Sequence, residues 1–270
     1  MMITFEELIA PITVKEFKEK YKGKRPFVSK SDKNSFRKKF FSDIISWRKI
    51  SNYINNNRSV AGIQMIIPDE NGSKKICTRA DPEYFHDGDK RSWTSDNYYE
   101  TSKVYEYWKN DSSLILIKGS KLTDNINCIA SSIENFYSDN FTDSTSDAHF
   151  YCSPNKKSVS FACHADTDDN FLIHSIGKVS WNVYAVWNKD IGKNTLSTEE
   201  ESDLIPVIEQ TLTIGDVLYV PKGLFHKGKP MGPRVSISIP VNEKKGRKLE
   251  REYYDFSPIY KPLENENESE

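Results

Sequence analysis

Apolar positions in this chain follow two periods, and the change from one to the other divides it. Residues 3–57 carry apolar positions at three- and four-residue spacing and read as helical, whereas beyond Ala148 they alternate or run in short blocks, as on strands. Thr4 and Thr13 stand at helix-start positions, with Glu16 three residues after Thr13 as in a capping box. The segment Tyr21 to Val28, with its Gly and Pro, reads as a loop leading into a strand. A further helix is expected over about Ser42 to Ile54, ended by Asn55-Asn56-Asn57. The basic run Arg37-Lys38-Lys39 reads as a solvated helix face, with contact to an acidic partner as the minority reading.

In the middle of the chain, Gly62–Ile67 and Lys75–Thr78 read as two strands joined by the turn Asp69-Glu70-Asn71-Gly72. Residues 80–102 are rich in Asp, Tyr and Trp, show little periodicity and predict a long loop. Its Tyr84, Phe85, Trp93, Tyr98 and Tyr99 either line a substrate mouth or cover the core; His86 lies there and fits no ligand pattern. Ser113 to Gly119 predicts a buried strand, and 122–140 a helix with Ile126, Ile129, Ile133, Phe136 and Tyr137 on one side.

From Ala148 the strands follow closely: His149–Pro154, Ser158–Asp166, Phe171–Ile176, a Gly177-Lys178 turn, then Val179–Trp187. Residues 188–206 are polar and read as a surface excursion. Arg234 to Pro240 alternates Val/Ile with Arg/Ser, the pattern of a half-buried strand. The fold expected is mainly β with a helical N-terminal part: a single domain over 1–257, helical to about residue 60, with a barrel core over about 148–242. The Pro-rich, then acidic end, 258–270, reads as a disordered tail.

Composition narrows the classes. At 270 residues, 37% hydrophobic, 29% charged and net charge −1, the chain gives no reason to expect nonspecific nucleic-acid binding. It opens without a basic-then-apolar leader and has no run of eighteen apolar residues, so no membrane association and a cytoplasmic setting are expected. Cys77, Cys128, Cys152 and Cys163 show no C-x2-C spacing and read as free thiols, Cys163 as a small buried residue on the strand face opposite His164.

The chemistry is concentrated between Ser160 and Pro240. A period-2 reading puts His164, Asp166 and Asn170 on one strand face. Gly215-Asp216, an apolar strand and a Pro221-Lys222-Gly223 turn then lead to His226. A single histidine in a strand is most often a packing or surface residue. Two imidazoles and a carboxylate brought together, however, form a 2-His-1-carboxylate facial triad, which suits Fe(II) and leaves three positions open. The spacings H-x-D-x3-N-x6-G and G-x5-P-x4-H resemble the two cupin motifs of a double-stranded β-helix (jelly roll). Asp166 stands where many metal cupins have a second His, and Asn170 where they have a Glu ligand.

Phe5 to Ile12 with Phe17, Phe150 to Pro154, His164 to Tyr184 and Gly215 to His226 together resemble JmjC-type 2-oxoglutarate oxygenases, nearest to the bacterial-type ribosomal oxygenases, over about residues 3–242. The resemblance implies a dioxygenase that hydroxylates a protein side chain using Fe(II), 2-oxoglutarate and O2, with His164, Asp166 and His226 as catalytic metal ligands. Asn170 would hydrogen-bond the co-substrate or an iron-bound water, or cap the barrel interior. One departure stands out: the Lys or Arg that the family places two residues before the Trp, to bind the far carboxylate of 2-oxoglutarate, is Val179 here, and Lys178 points to the other face. Arg234 and Ser236, eight and ten residues after His226, resemble the Arg-x-Ser element of other 2-oxoglutarate oxygenases and are expected to bind the co-substrate; the plainer reading of Arg234 is a surface residue on an edge strand. About thirty residues follow Pro240, so the family's dimerisation and winged-helix parts are expected to be missing or minimal. A ribosomal substrate and a homodimer are left open, and so are an RNA or small-molecule substrate. Two other classes stay in view: a cupin enzyme acting on a small molecule without 2-oxoglutarate, and a silent binding module.

Overall fold

Capping sets the N-terminal helices. In this computed structural model, which describes residues 3–32, 36–56, 63–68, 74–77, 101–117, 119–138 and 142–245, Phe5–Ile9 (α1) begins at a complete capping box. The Thr4 hydroxyl accepts from Glu7 N, and the Glu7 carboxylate accepts from Thr4 N at 2.8 Å. Thr13 caps Val14–Glu16 (α2), which continues as one π-helical turn over Phe17–Tyr21 and leads to the strand Phe27–Ser29 (β1). The expected helix over Ser42 to Ile54 is in fact two, Phe36–Ile44 (α3) and Trp47–Asn56 (α4). Ser46 causes the break: its hydroxyl accepts from Lys49 N and its carbonyl from Ile50 N, as at a helix start. Nor is Arg37 part of a solvated face. It is buried with Phe40, Phe41 and Ile44, and its guanidinium donates to the carbonyls of Leu8, Ala10 and Ser29, tying α1, β1 and α3 together; Lys39 alone of the basic run is exposed.

The elements that follow are Ile63–Ile67 (β2), Lys74–Cys77 (β3), Thr101–Lys109 (α5), Ser113–Leu116 (β4), Asp124–Tyr137 (α6), Thr142–Ser146 (β5), His149–Ser153 (β6), His164–Ala165 (β7), Asp169–Ile176 (β8) and Val179–Trp187 (β9). Asn188–Ile191 (α7) and Thr198–Ser202 (α8) form the polar excursion. The chain then builds Pro206–Leu212 (β10), Val217–Val220 (β11), Leu224–Pro230 (β12) and Arg234–Lys245 (β13). The loop expected over 80–102, up to α5, lies outside the described residues, as do His86 and the acidic tail 258–270.

Two antiparallel sheets face each other. The larger runs β1-β11-β8-β13-β6-β4-β2-β3, with β5 also on β13; the smaller runs β10-β9-β12-β7. This is the jelly-roll core expected of the chain, but the larger sheet is wider than residues 148–242, because β1 joins one edge and β4, β2 and β3 the other. Strand alternation sorts the side chains into layers. On β8, Phe171 and Ile173 join the helix-side core with Phe5, Phe17 and Phe41, while Leu172 meets Val179, Trp181 and Leu218 between the sheets. A third cluster, Cys163, Ala165, Tyr184, Leu196 and Phe225, seals the outside of the smaller sheet, and Cys163 is buried there as expected. No helix among the described residues is long and apolar enough to cross a membrane.

β13 departs from its sequence reading in an instructive way. Val235, Ile237, Ile239 and Val241 pack in the helix-side core, as the alternation predicts. Yet Arg234, Ser236 and Ser238 are buried too, at 4% exposure or less, because β13 lies between β8 and β6 and turns its polar face into the barrel. It is a central strand with a polar interior and not a half-buried or edge strand.

Candidate active site

β7 and β12 pair so that His164 lies opposite His226, with ring centroids 4.6 Å apart. Each Nδ1 sits against the carbonyl two residues earlier, His164 on Ala162 O at 2.9 Å and His226 on Leu224 O at 3.0 Å. A carbonyl only accepts, so each Nδ1 donates to it, and each Nε2 is left to face Asp166, as a donor when the ring is charged and as a ligand atom when it is neutral. Both Nε2 atoms turn to Asp166, 3.5 Å from Oδ1 for His164 and 3.5 Å from Oδ2 for His226. One ligand atom from each of the three lies within 4.8 Å of the others. Two imidazole nitrogens and a carboxylate oxygen so converged fit a single divalent metal, Fe(II) included.

The route by which Asp166 arrives differs from the continuous strand expected. β7 lasts two residues, the chain turns at Thr167-Asp168, and β8 begins in the other sheet. Asn170 therefore does not share a strand with His164. It still faces inward, where its Nδ2 donates to Asp166 Oδ2 at 2.9 Å and its Oδ1 accepts from Ser238 Oγ at 2.9 Å. Gly223 N donates to the Asp166 carbonyl at 2.7 Å, so the Pro221-Lys222-Gly223 turn holds the corner; Gly223 has φ of 80°, and a Cβ there would meet Asn188 Oδ1 at 2.6 Å. Burial alone would raise the Asp166 carboxyl, but the His226 hydrogen bond, both imidazoles and the Asn170 amide outweigh it and hold it well below the usual carboxylate range. Burial, then the neighbouring His226, lowers His164. Burial acts the same way on His226, but the hydrogen bond and charge of Asp166 prevail and raise it.

The far end of the same cavity is built around Arg234. Its Nε donates to Ser153 Oγ at 3.0 Å and its Nη1 to Ser236 Oγ at 2.9 Å. Among the described residues no carboxylate lies within ion-pair distance of it, and these bonds both go to hydroxyls. Burial pushes the guanidinium down to about 10, still charged at neutral pH. A buried cation held only by neutral hydroxyls is electrostatically incomplete and suits an anion. His164, Asp166, His226, Asn170, Arg234 and Ser236 line one cavity with Tyr151, Leu172 and Trp181. Val179 and Lys178 do not: Val179 is buried among Leu172, Leu212 and Leu218, and Lys178 is exposed in the turn.

The structure adds residues that the sequence did not single out. Tyr151 lines the cavity, Ser153 holds Arg234, and His174 lies behind Ser236; each sits at an inward position of β6 or β8, but nothing local marks them. Trp181 spans the two ends, its ring 6.0 Å from that of His226 and its Nε1 bonded to His174. Gly228 makes room for it, since a Cβ there would lie 2.8 Å from the indole ring. A second, apolar cavity of about 300 Å3, between Trp47, Ile54, Tyr105 and Trp108, carries no metal-ligating group.

A jelly roll with a His-Asp-His cluster inside its mouth has the arrangement of a cupin-type metal site. More narrowly, residues 121–249 match the JmjC domain model. Among similar proteins, the "bifunctional lysine-specific demethylase and histidyl-hydroxylase NO66" of Drosophila persimilis is 24% identical over 225 residues, covering 83% of this chain and 29% of that protein. The protein so named in Dictyostelium discoideum is 21% identical, over 87% of this chain and 41% of its own length. The ribosomal oxygenase YcfD of Escherichia coli, solved with cobalt and 2-oxoglutarate, superposes with a TM-score of 0.56 at 18% identity, over 84% of this chain and 51% of YcfD. The chain thus shares its fold with YcfD, and spans less than half the length of these NO66 relatives.

Proposed function

We propose that this chain is a 2-oxoglutarate-dependent Fe(II) oxygenase that hydroxylates a side chain of a protein substrate. One observation carries the reading: a three-ligand cluster and an unneutralised, buried guanidinium line the two ends of a single cavity. A dicarboxylate that chelates a metal at one end and ends in a free carboxylate at the other matches that arrangement.

His164 Nε2, His226 Nε2 and an Asp166 oxygen would hold the metal. When bound, the metal and 2-oxoglutarate supply the oxygen-activating chemistry. The protein's own part is placement. Ala162 and Leu224 carbonyls fix the imidazole tautomers, and Asn170 fixes the carboxylate. Arg234 and Ser236 would bind the far carboxylate through charge-assisted hydrogen bonds, taking the role that Val179 cannot. Leu172 and Trp181 supply apolar walls that exclude water. At the metal end the site opens outward, since Asp166 and His164 side chains are 30% and 27% exposed against 2% for His226; the substrate side chain would approach there, past Phe161, whose ring lies 5.4 Å from that of His164.

The protein substrate, a ribosomal protein among the candidates, is inferred from the names of the relatives, which include histidyl-hydroxylase and ribosomal oxygenase. Residues 1–257 are read as one unit for this activity. The test is Fe(II)-dependent conversion of 2-oxoglutarate to succinate, followed by a search for +16 mass shifts in ribosomal and other protein fractions. Succinate release with a hydroxylated protein product is expected. No release under any Fe(II) and 2-oxoglutarate condition would overturn the oxygenase reading, and release coupled only to a small molecule would overturn the protein-substrate reading.

A further inference from the structure

His174 is fully buried and takes no part in the metal cluster. It lies on β8, two positions beyond Leu172 and directly opposite Ser236 of β13. Its Nε2 is 3.2 Å from Trp181 Nε1. An indole N–H only donates, so Nε2 carries the lone pair and the ring proton sits on Nδ1. Nδ1 in turn lies 3.5 Å from Ser236 Oγ, a long contact, and the same oxygen accepts from Arg234 Nη1 at 2.9 Å. With a donor on each side, both lone pairs of Ser236 are engaged. Its own hydrogen has no acceptor among the described residues and is left for the cavity that Ser236 lines.

We propose that His174 is a positioning residue: by occupying the acceptor side of Ser236, it makes that hydroxyl a donor toward a carboxylate bound at Arg234. The inference rests on Arg234 being the anion anchor of the proposed function. Burial, then the Arg234 charge, holds the imidazole down to about 3, with the Asp216 and Lys30 charges acting in opposite directions on it, so the neutral ring persists at physiological pH. The chain Trp181, His174, Ser236 then ends in a fixed donor, and an acceptor-only carboxylate is the group it selects.

The test uses the full chain loaded with Mn(II), so that affinity for 2-oxoglutarate is read without turnover. Ser236→Ala and His174→Leu should each weaken binding roughly tenfold, as expected for one hydrogen bond to a charged group. The double variant should bind no more weakly than Ser236→Ala alone, because both changes remove the same donor. His174→Gln, whose amide can accept from Trp181 and donate to Ser236, should stay within about threefold of the parent. In the unsubstituted protein, imidazole 15N shifts should report the Nδ1–H tautomer, a readout that does not depend on any variant folding. The proposal is overturned by an Nε2–H tautomer, by single-variant effects that multiply in the double variant, or by a His174→Leu protein that melts earlier yet binds 2-oxoglutarate as before. Failure of the anchor reading shows separately, as an Arg234→Gln protein with unchanged affinity.

Discussion

The two ends of the cavity solve opposite electrostatic problems. At the metal end, the charges answer one another: Asp166 is flanked by two imidazoles and an amide and stays ionised. That end is partly open to solvent. At the other end Arg234 is sealed at 4% exposure and meets only hydroxyls, so its charge is unanswered among the described residues. The difference separates a site that is nearly complete without its ligand from one that is not. Removing a group from the first end should destroy chemistry, whereas removing Arg234 should cost binding first.

The largest expected effect follows at the metal end. His164→Ala or Asp166→Ala should abolish Fe(II)-dependent succinate release, with circular-dichroism melts showing the fold retained, because both side chains lie at the cavity mouth and support no core cluster. Turnover in either variant at the parent rate would remove that residue from the ligand set.

Next comes the anchor. Arg234→Gln should raise the KM for 2-oxoglutarate by thirty- to several-thousand-fold, the equivalent of about 2–5 kcal/mol for a buried charge-assisted contact. Lys178→Gln, in an exposed turn, should leave KM unchanged. A KM that responds to Lys178 and not to Arg234 would reverse the comparison between the two ends.

Gly228→Ala sharpens the comparison from between them. A Cβ at 2.8 Å from the Trp181 ring forces the indole to move, and overpacking of this kind costs about 1–3 kcal/mol. The melting temperature should fall, and 2-oxoglutarate affinity with it, since Trp181 touches both His226 and His174. A loss of stability with affinity intact would mean that Trp181 does not link the ends. The smallest effect is expected far from both: Thr4→Ala, which removes the capping box, should cost about 1 kcal/mol in chemical denaturation and leave kcat and KM alone.

The same contrast explains what the sequence disclosed. His164 and His226 each take their orienting carbonyl from two residues upstream, and the motifs that hold them are short, so the convergence of His164, Asp166 and His226 was legible from spacing. Arg234 was legible as a candidate, but its supports were not: Ser153 lies 81 residues away in the chain, and His174 lies 62 from Ser236. Alternation on β13 identified the two faces correctly and assigned the polar one to solvent, because period alone does not tell water from a polar barrel interior. The continuous strand through His164 and Asn170 failed for a related reason. Period-2 spacing survives a corner between sheets, so Asn170 faces inward from a different strand. Arg37 reads as surface by its neighbours in sequence, and only the carbonyls of Leu8, Ala10 and Ser29 explain its burial.

One measurement bears most directly on the claim that both ends serve a single ligand: equilibrium titration of 2-oxoglutarate into the metal-loaded chain and into Arg234→Gln, with metal affinity measured alongside. The parent should bind one 2-oxoglutarate per chain only when metal is present, and Arg234→Gln should bind it at least about thirtyfold more weakly while holding metal as the parent does. Equal 2-oxoglutarate affinity in the two proteins, or binding that ignores the metal, would contradict the account.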